Sequence, residues 1–444
     1  MTPSTDTPAA ASLRLALAAA AGSLLAGGAG QAQALELPAV LASHFSGEQP
    51  WQVDAAAYSY QEADGRVKAF EPMMFARHTD AQDRILSLRA TLDTLSGASP
   101  NGAAPQQTAQ TFTRPSGNGT YSTEARKIPF DPAFKDFRVA FGGTLDRPWG
   151  QDRRLATGLN ASFESDFTSF SGNAAVSRDY NNKNTTLSYG GSLELDFIKP
   201  KGLPKELQPI TSQPTGEVEA QHRVSLELIG GITQVMTRRW LTQFNASLGY
   251  SSGYHTDPYK VVSILDNNGL ITGDQYVGEA RPTTRTRTSL FWQHKVHLSE
   301  DVVDASYRWY RDSWGITSHT VDLRYRFETH LAGGFYLEPH WRGYRQSAAD
   351  FYRPWLNSGI DYTTGSGASV SYASADPRLA ALTATTVGLK LGLPLANHRE
   401  LGLRLESYQQ TVDQPAVIPS GIGTDKVAPD LKASVLVLSY SFEY

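Results

Sequence analysis

Residues 187–197 read Leu-Ser-Tyr-Gly-Gly-Ser-Leu-Glu-Leu-Asp-Phe. In an extended chain, Leu187, Tyr189, Gly191, Leu193, Leu195 and Phe197 fall on one face. Ser188, Gly190, Ser192, Glu194 and Asp196 fall on the other, because successive side chains of a strand alternate sides. Soluble strands run for about five or six residues. This alternation holds unbroken from 187 to 197, the length that crosses a bilayer at a tilt, roughly 9–11 residues. Leu155 to Phe167 repeats it, with Leu155, Leu159, Ala161, Phe163 and Phe167 opposite Asn160, Ser162, Glu164 and Asp166. So does the C-terminus, with Leu436, Leu438, Tyr440, Phe442 and Tyr444 opposite Ser439, Ser441 and Glu443. An apolar strand this long at a sheet edge is an aggregation hazard in water. In a barrel it closes against the first strand.

Composition agrees. The 444 residues carry a formal net charge of -4, and only 19% are Asp, Glu, Lys or Arg. That balance excludes a nucleic-acid partner, which demands a basic surface. Mean hydropathy is -0.35, too polar for a bundle of apolar spanning helices but not for a barrel, where alternate residues alone touch lipid. The absence of cysteine excludes disulfides, thiolate metal sites and thiol catalysis, and suits passage through an oxidising periplasm. Arg14, the apolar run Leu15 to Ala26 and Ala32-Gln33-Ala34 predict a signal peptide over 1–34. With no cysteine after the cleavage site, no lipoprotein anchor is expected. A short periplasmic lead over 35–50 precedes a barrel over 51–444.

The expected architecture is an all-β transmembrane up-and-down antiparallel barrel. The predicted strands are 51–62, 66–75, 82–95, 135–146, 153–167, 171–181, 184–197, 221–235, 239–252, 285–299, 302–313, 317–329, 333–345, 382–394, 400–410 and 431–444. That is about sixteen, with fourteen as the alternative, since the first two alternate poorly and Pro72 interrupts one. Short turns near 147–152, 181–184, 236–239, 299–302, 330–333 and 394–399 alternate with long polar loops near 96–132, 198–220, 253–283, 346–381 and 411–430. Short periplasmic turns and longer outer loops are the bacterial pattern, so both termini are expected in the periplasm. Trp51, Trp149, Trp240, Tyr250, Trp309 and Trp341 lie near strand ends, as interfacial girdles require.

Several stretches carry a resemblance: SGASPNGA (96–103), SFESDFTSF (162–170), KNTTLSYG (183–190), GYHTDPYK (253–260), YRWYRDSWGITSHT (307–320) and RGYRQSAADFY (342–352). Over nearly the whole mature chain the sequence resembles a widespread bacterial family of unknown function whose members are predicted outer-membrane barrels. The resemblance implies a Gram-negative outer-membrane location and supplies no activity. It hints at a periplasmic lipoprotein or redox partner in envelope redox or metal traffic. The aromatic end of the last strand, Tyr440, Phe442 and Tyr444, resembles the signal read by the barrel-assembly machinery.

Parity places Glu164, Asp166, Glu194, Asp196 and Glu227 inward on the earlier strands. On the later strands it places Arg285, Arg287, Arg308, Arg324, Arg326, Arg342, Lys390 and Arg404 inward, with Asp304, Asp312, Asp322, Glu338 and Glu406 among them. Acid is biased to one wall and base to the other. Such charges need water or partners. Either they line a water-filled pore with a transverse field, or they pair across strands and seal the lumen. Tyr336, Glu338, His340, Arg342, Tyr344 and Gln346 share the inward face, and with Asp350, Arg308, Asp312 and His319 form the densest polar constellation, a candidate ligand site near the outer mouth. One His with Glu is weak for a transition metal, so no metal or other cofactor is expected. Asp257-Pro258, Asp376-Pro377 and Asp266-Asn267-Asn268-Gly269 read as turns. No Gly-x-Ser-x-Gly, triad or phosphate loop appears, and no catalysis is expected. The leading function is a porin-like channel for small polar or charged solutes. The alternatives are a non-conducting scaffold for a periplasmic partner and a lipid-modifying barrel. A homo-oligomer fits by analogy with porins alone.

Overall fold

A two-faced strand needs lipid or a core on its apolar side and water on the other, and a closed sheet satisfies both without an exposed edge. The computed structural model describes residues 50–113, 119–199, 206–210, 219–330 and 334–444. The predicted signal peptide and all but the end of the lead lie outside them. The chain runs up and down through β1 (Gln52–Glu62), β2 (Lys68–Thr79), β3 (Ile85–Pro100), β4 (Phe130–Pro148), β5 (Arg153–Phe163), β6 (Phe167–Tyr180), β7 (Thr185–Ile198) and β8 (Gln221–Thr237). It continues through β9 (Trp240–Gly253), β10 (Thr284–His297), β11 (Val302–Asp312), β12 (Thr317–Glu328), β13 (Tyr336–Gln346), β14 (Leu382–Leu395), β15 (Arg399–Val412) and β16 (Leu431–Glu443). Each pairs with its neighbour, and β16 closes on β1 with Tyr440 opposite Ala55. Trp51 N–H donates to the Tyr444 carbonyl at 2.8 Å and Tyr444 N–H returns the bond at 2.8 Å, so the last residue seals the seam.

Sixteen strands form the barrel, and fourteen is excluded because β1 and β2 are full members. Pro72 still leaves its mark. With no N–H to donate, it sits in a gap of the β2–β3 ladder between the pairs Phe70–Thr94 and Met73–Thr91. The outward face is apolar all round: Phe70, Phe141, Leu159, Leu193, Trp292, Leu389 and Leu405 are exposed. A band of this kind is intolerable in water and required in lipid, so the barrel spans a membrane. Trp51, Trp149 and Trp240 lie at the termini end of the strands and Tyr250 and Trp309 towards the other. Trp341 departs from the girdle, standing mid-strand on β13.

Other expectations shift. The segment 153–167 is not one strand. Glu164 N–H donates to the Phe167 carbonyl at 2.7 Å, and 164–166 is a tight turn. The turn changes the parity, so Phe167 points inward, under the Arg223 guanidinium at 5.8 Å from its ring, and Asp166 sits on the rim rather than the lumen wall. β3 and β4 outrun the expected 82–95 and 135–146, because their ladder continues into the loop region after a register shift at Gly97. Gly97 has φ +135°, and a Cβ there would lie 2.4 Å from the Arg66 carbonyl.

All connections at the termini end are short. At the other end, 63–67, 164–166 and 313–316 are short, and 101–129, 199–220, 254–283, 347–381 and 413–430 are long. The buried apolar core lies here, in a cap, and not in the barrel. Its hub is the hairpin Val261–Leu265 and Ile271–Gly278, extended in parallel by Leu356–Asn357. Val262 and Ile264 pack on Val277, Leu356, Tyr362, Ala373 and Ala375. Leu265, on the opposite face, packs on Ala104, Ile422 and Val427. Glu206 bridges to Gly278, and Gly421 N–H donates to the Asn268 carbonyl at 2.7 Å. The short turns join in. Tyr259 donates to Asp166, Arg66 to the Asp430 carbonyl at 2.8 Å, and Trp314 Nε1 to the Thr284 carbonyl at 2.9 Å. Because these roots circle the barrel, the cap spans its mouth.

Candidate functional site

The lumen wall is uneven. From β5 to β9 it is built of small polar residues such as Asn160, Ser171, Asn173, Ser192 and Ser247, and from β10 to β15 of Arg, Lys, Tyr and His. Most expected lumen charges are paired. Arg223 holds Asp196 at 2.7 Å, Arg285 holds Asp312 at 2.5 Å and Arg324 holds Asp322 at 3.3 Å. Arg404 bridges Glu338 at 3.1 Å and Glu406 at 3.3 Å. Arg326 takes Glu328 at 2.8 Å and stacks on the Tyr336 ring at 3.6 Å. Arg138 reaches Glu164 at 4.0 Å. His340 is held between Asp322 at 3.1 Å and Glu406 at 3.0 Å, where Gly388 leaves room for the Glu406 side chain. The two carboxylates take opposite ring nitrogens and so do not converge on one point, as ligands of a metal must.

These lumen pairs lie within one strand or join strands one or two apart. They run along the wall and leave the centre unbridged. Asp312 is structural: it also accepts from the Trp314 and Ile316 N–H groups at 3.0 and 2.9 Å, fixing the turn 313–316. The constellation on 336–350 is not a single site at the mouth. It runs the height of β13, and Tyr336, buried at the termini end, donates to Glu400 at 2.6 Å. His319 faces outward, as expected, bonded to Tyr307 at 2.7 Å.

Five expected residues of the lumen wall carry no ion pair among the described residues: Glu194, Glu227, Arg287, Arg308 and Arg342. They lie in the half of the barrel under the cap, the acids on β7 and β8 and the bases on β10, β11 and β13. Arg287 lies over Gly249, 3.0 Å from where a Cβ would stand, and Glu227 faces the same Gly249 from β8. Arg308 points inward against the Phe291 ring at 5.5 Å and is nonetheless exposed.

Sequence reasoning missed the ion knot of the cap. Asp257 and Asp376 do shape turns, accepting from the Tyr259 and Arg378 N–H groups at 3.0 Å each. They also join Glu279, Arg281 and Arg378: Arg281 holds Glu279 at 2.6 Å and Asp376 at 2.9 Å, and Arg378 holds Asp376 at 2.5 Å and Asp257 at 2.8 Å. Burial alone would raise the Asp376 carboxyl, yet Arg378, Arg281 and Lys260 hold it far below the usual carboxylate range. Burial pushes His255, just above β9, down to about 4, and Arg223, Arg285 and Arg287 act the same way. The Asp-Pro pairs were the visible signal, but their partners are remote in sequence.

No curated protein matches the chain. Among solved structures it is similar to Pseudomonas aeruginosa OccK5 (OpdH), at 8% identity and TM-score 0.40, over 89% of this chain and 98% of that one. It is similar to P. aeruginosa OccK2 (OpdF) in complex with glucuronate at 11% identity and TM-score 0.39, over 90% and 100%. A bacterial polysaccharide outer membrane secretin gives 7% identity and TM-score 0.44, over 89% and 99%. These identities transfer no function. Residues 14–442 match the model of a family described as a protein of unknown function, DUF3570, and the chain belongs to that family.

Proposed function

We propose that the protein is a porin-like channel of a Gram-negative outer membrane, passing small polar or charged solutes. Its termini and short turns face the periplasm and its cap faces outward. The observation that carries this is Arg308: an inward guanidinium that is exposed and has no ion pair among the described residues requires water in the lumen, since burial of an unpaired charge is prohibitive. Glu194 and Glu227 facing Arg287, Arg308 and Arg342 would set a transverse field that orients dipolar solutes. The cap is the constriction, and no catalytic step is invoked.

The cap also favours a second reading. A mouth covered by co-folded loops suits a non-conducting scaffold that holds a periplasmic lipoprotein or redox partner.

Single-channel recording in a planar bilayer separates the two. A small conductance proportional to salt, with cation preference raised in Arg308→Ser, is expected of the channel. Correctly folded protein that passes no current would refute it and leave the scaffold.

A further inference from the structure

The cap contains a cavity of about 400 Å3. It lies where the turn 313–316 meets the loops 254–283 and 347–381, and Ser313, Trp314, Asp350, Phe351, Arg353 and Tyr372 line it. Trp314 and Phe351 are buried edge to face at 5.2 Å and make a rigid apolar back. The Arg353 side chain makes no hydrogen bond or ion pair with any described residue, and its Nε is shut off from water. Asp350, exposed at the edge of the cavity, likewise has no side-chain partner among the described residues. Its carboxylate lies over Gly315, where a Cβ would stand 2.2 Å from Oδ1 and where φ is +87°.

A carboxylate and a guanidinium thus line one cavity without closing on each other. Elsewhere in the cap opposite charges collapse into contact, as Arg281 does with Glu279 and Asp376. Opposite charges held apart are complementary to a solute that carries both. We propose that this cavity binds a small zwitterion of the amino-acid or dipeptide class. Its carboxylate docks on the Arg353 fork, which suits planar bidentate pairing. Its ammonium docks on Asp350, and its carbon skeleton rests against Tyr372 and Val370. The volume is at the lower end of ligand pockets, about 300–1,000 Å3. A neutral sugar would leave the guanidinium without a counter-charge. The site stands independently of conduction through the lumen.

The test is calorimetric titration of the purified full-length protein in detergent with glycylglycine and alanine, using acetate, ethylammonium and glucose as controls. A saturable zwitterion isotherm is expected, weakened about tenfold or more in Arg353→Ala and in Asp350→Asn, because each strands one ligand charge in the cavity. Arg353→Lys, which keeps the charge and loses the fork, should fall between. All three variants must keep the wild-type heat-modifiable migration. Absence of binding by both zwitterions, equal binding of a control, or variants that bind as the wild type does would overturn the proposal.

Discussion

Leu193 and Ser192 are neighbours in the chain and face different solvents. Leu193 is exposed on the outward face, and Ser192 stands inward opposite Glu227 and Asn173. Leu193→Arg should cost about 2–4 kcal/mol, the depth-dependent penalty for a charge facing lipid, while Ser192→Arg should be tolerated in a hydrated lumen. Urea titration in lipid vesicles measures both, and equal costs would refute the register. His255 makes a different prediction. Its Nδ1 donates to the Gly253 carbonyl at 3.0 Å, and its Nε2 lies 2.8 Å from Ser251 Oγ, a contact in which the neutral ring accepts the hydroxyl proton. Its value is depressed from 6.5 to about 4. The stability it lends is therefore complete above pH 6.5 and is lost as pH falls from there towards 4. Protection of loop 254–283 from protease should decline over that window, and His255→Gln should flatten the decline. An unchanged pH profile in the variant would sink the assignment.

At the scale of the element, β16 has two tasks. Leu436, Leu438, Tyr440, Phe442 and Tyr444 face outward, with Tyr440 and Phe442 stacked at 5.5 Å, and its backbone closes the barrel on β1. Replacing Phe442 and Tyr444 together by Ser should lower the yield of heat-modifiable barrel in membrane fractions severalfold. If the aromatics matter only for assembly, refolding of the purified variant in detergent should be much less affected. Wild-type levels in the membrane fraction would show that the terminal aromatics are not a signal. The hub hairpin is the contrasting element: its alternation, with Val262 and Ile264 opposite Ser263 and Leu265, serves a dry protein core and not lipid.

On the scale of the whole molecule, barrel and cap are held by different forces. Backbone ladders between sixteen strands hold the barrel, and apolar clusters with a buried ion knot hold the cap. Glu279 is 1% and Asp376 1% exposed, and removing a partner from such charges typically costs about 3–5 kcal/mol. Arg281→Ala should accordingly increase cleavage within 254–283 and 347–381 by added protease. The heat-modifiable migration of the barrel should stay unchanged. Loss of both together would mean that cap and barrel form one cooperative unit.

Alternation, aromatic termini and turn lengths are local, and the sequence by itself determined an up-and-down barrel of fourteen or sixteen strands, most of its inward and outward faces and the unequal ends. It failed where locality failed. Parity read through the turn at 164–166 placed Phe167 outside, because a turn can change the side of every later residue without changing the pattern. Apart from Asp166, the lumen charges were legible as a set, but not which would be neutralised. Asp196 meets Arg223 one strand away, and His340 meets Glu406 across β14. Only the tertiary structure decided that these pairs follow the wall, that Arg308 has no ion pair among the described residues, and that the long loops fold into a cap. Arg281 and Asp376 lie 95 residues apart. Strand pattern depends on the next residue but one, whereas a charge partner or a loop core depends on which remote residues the closed barrel brings to the same rim.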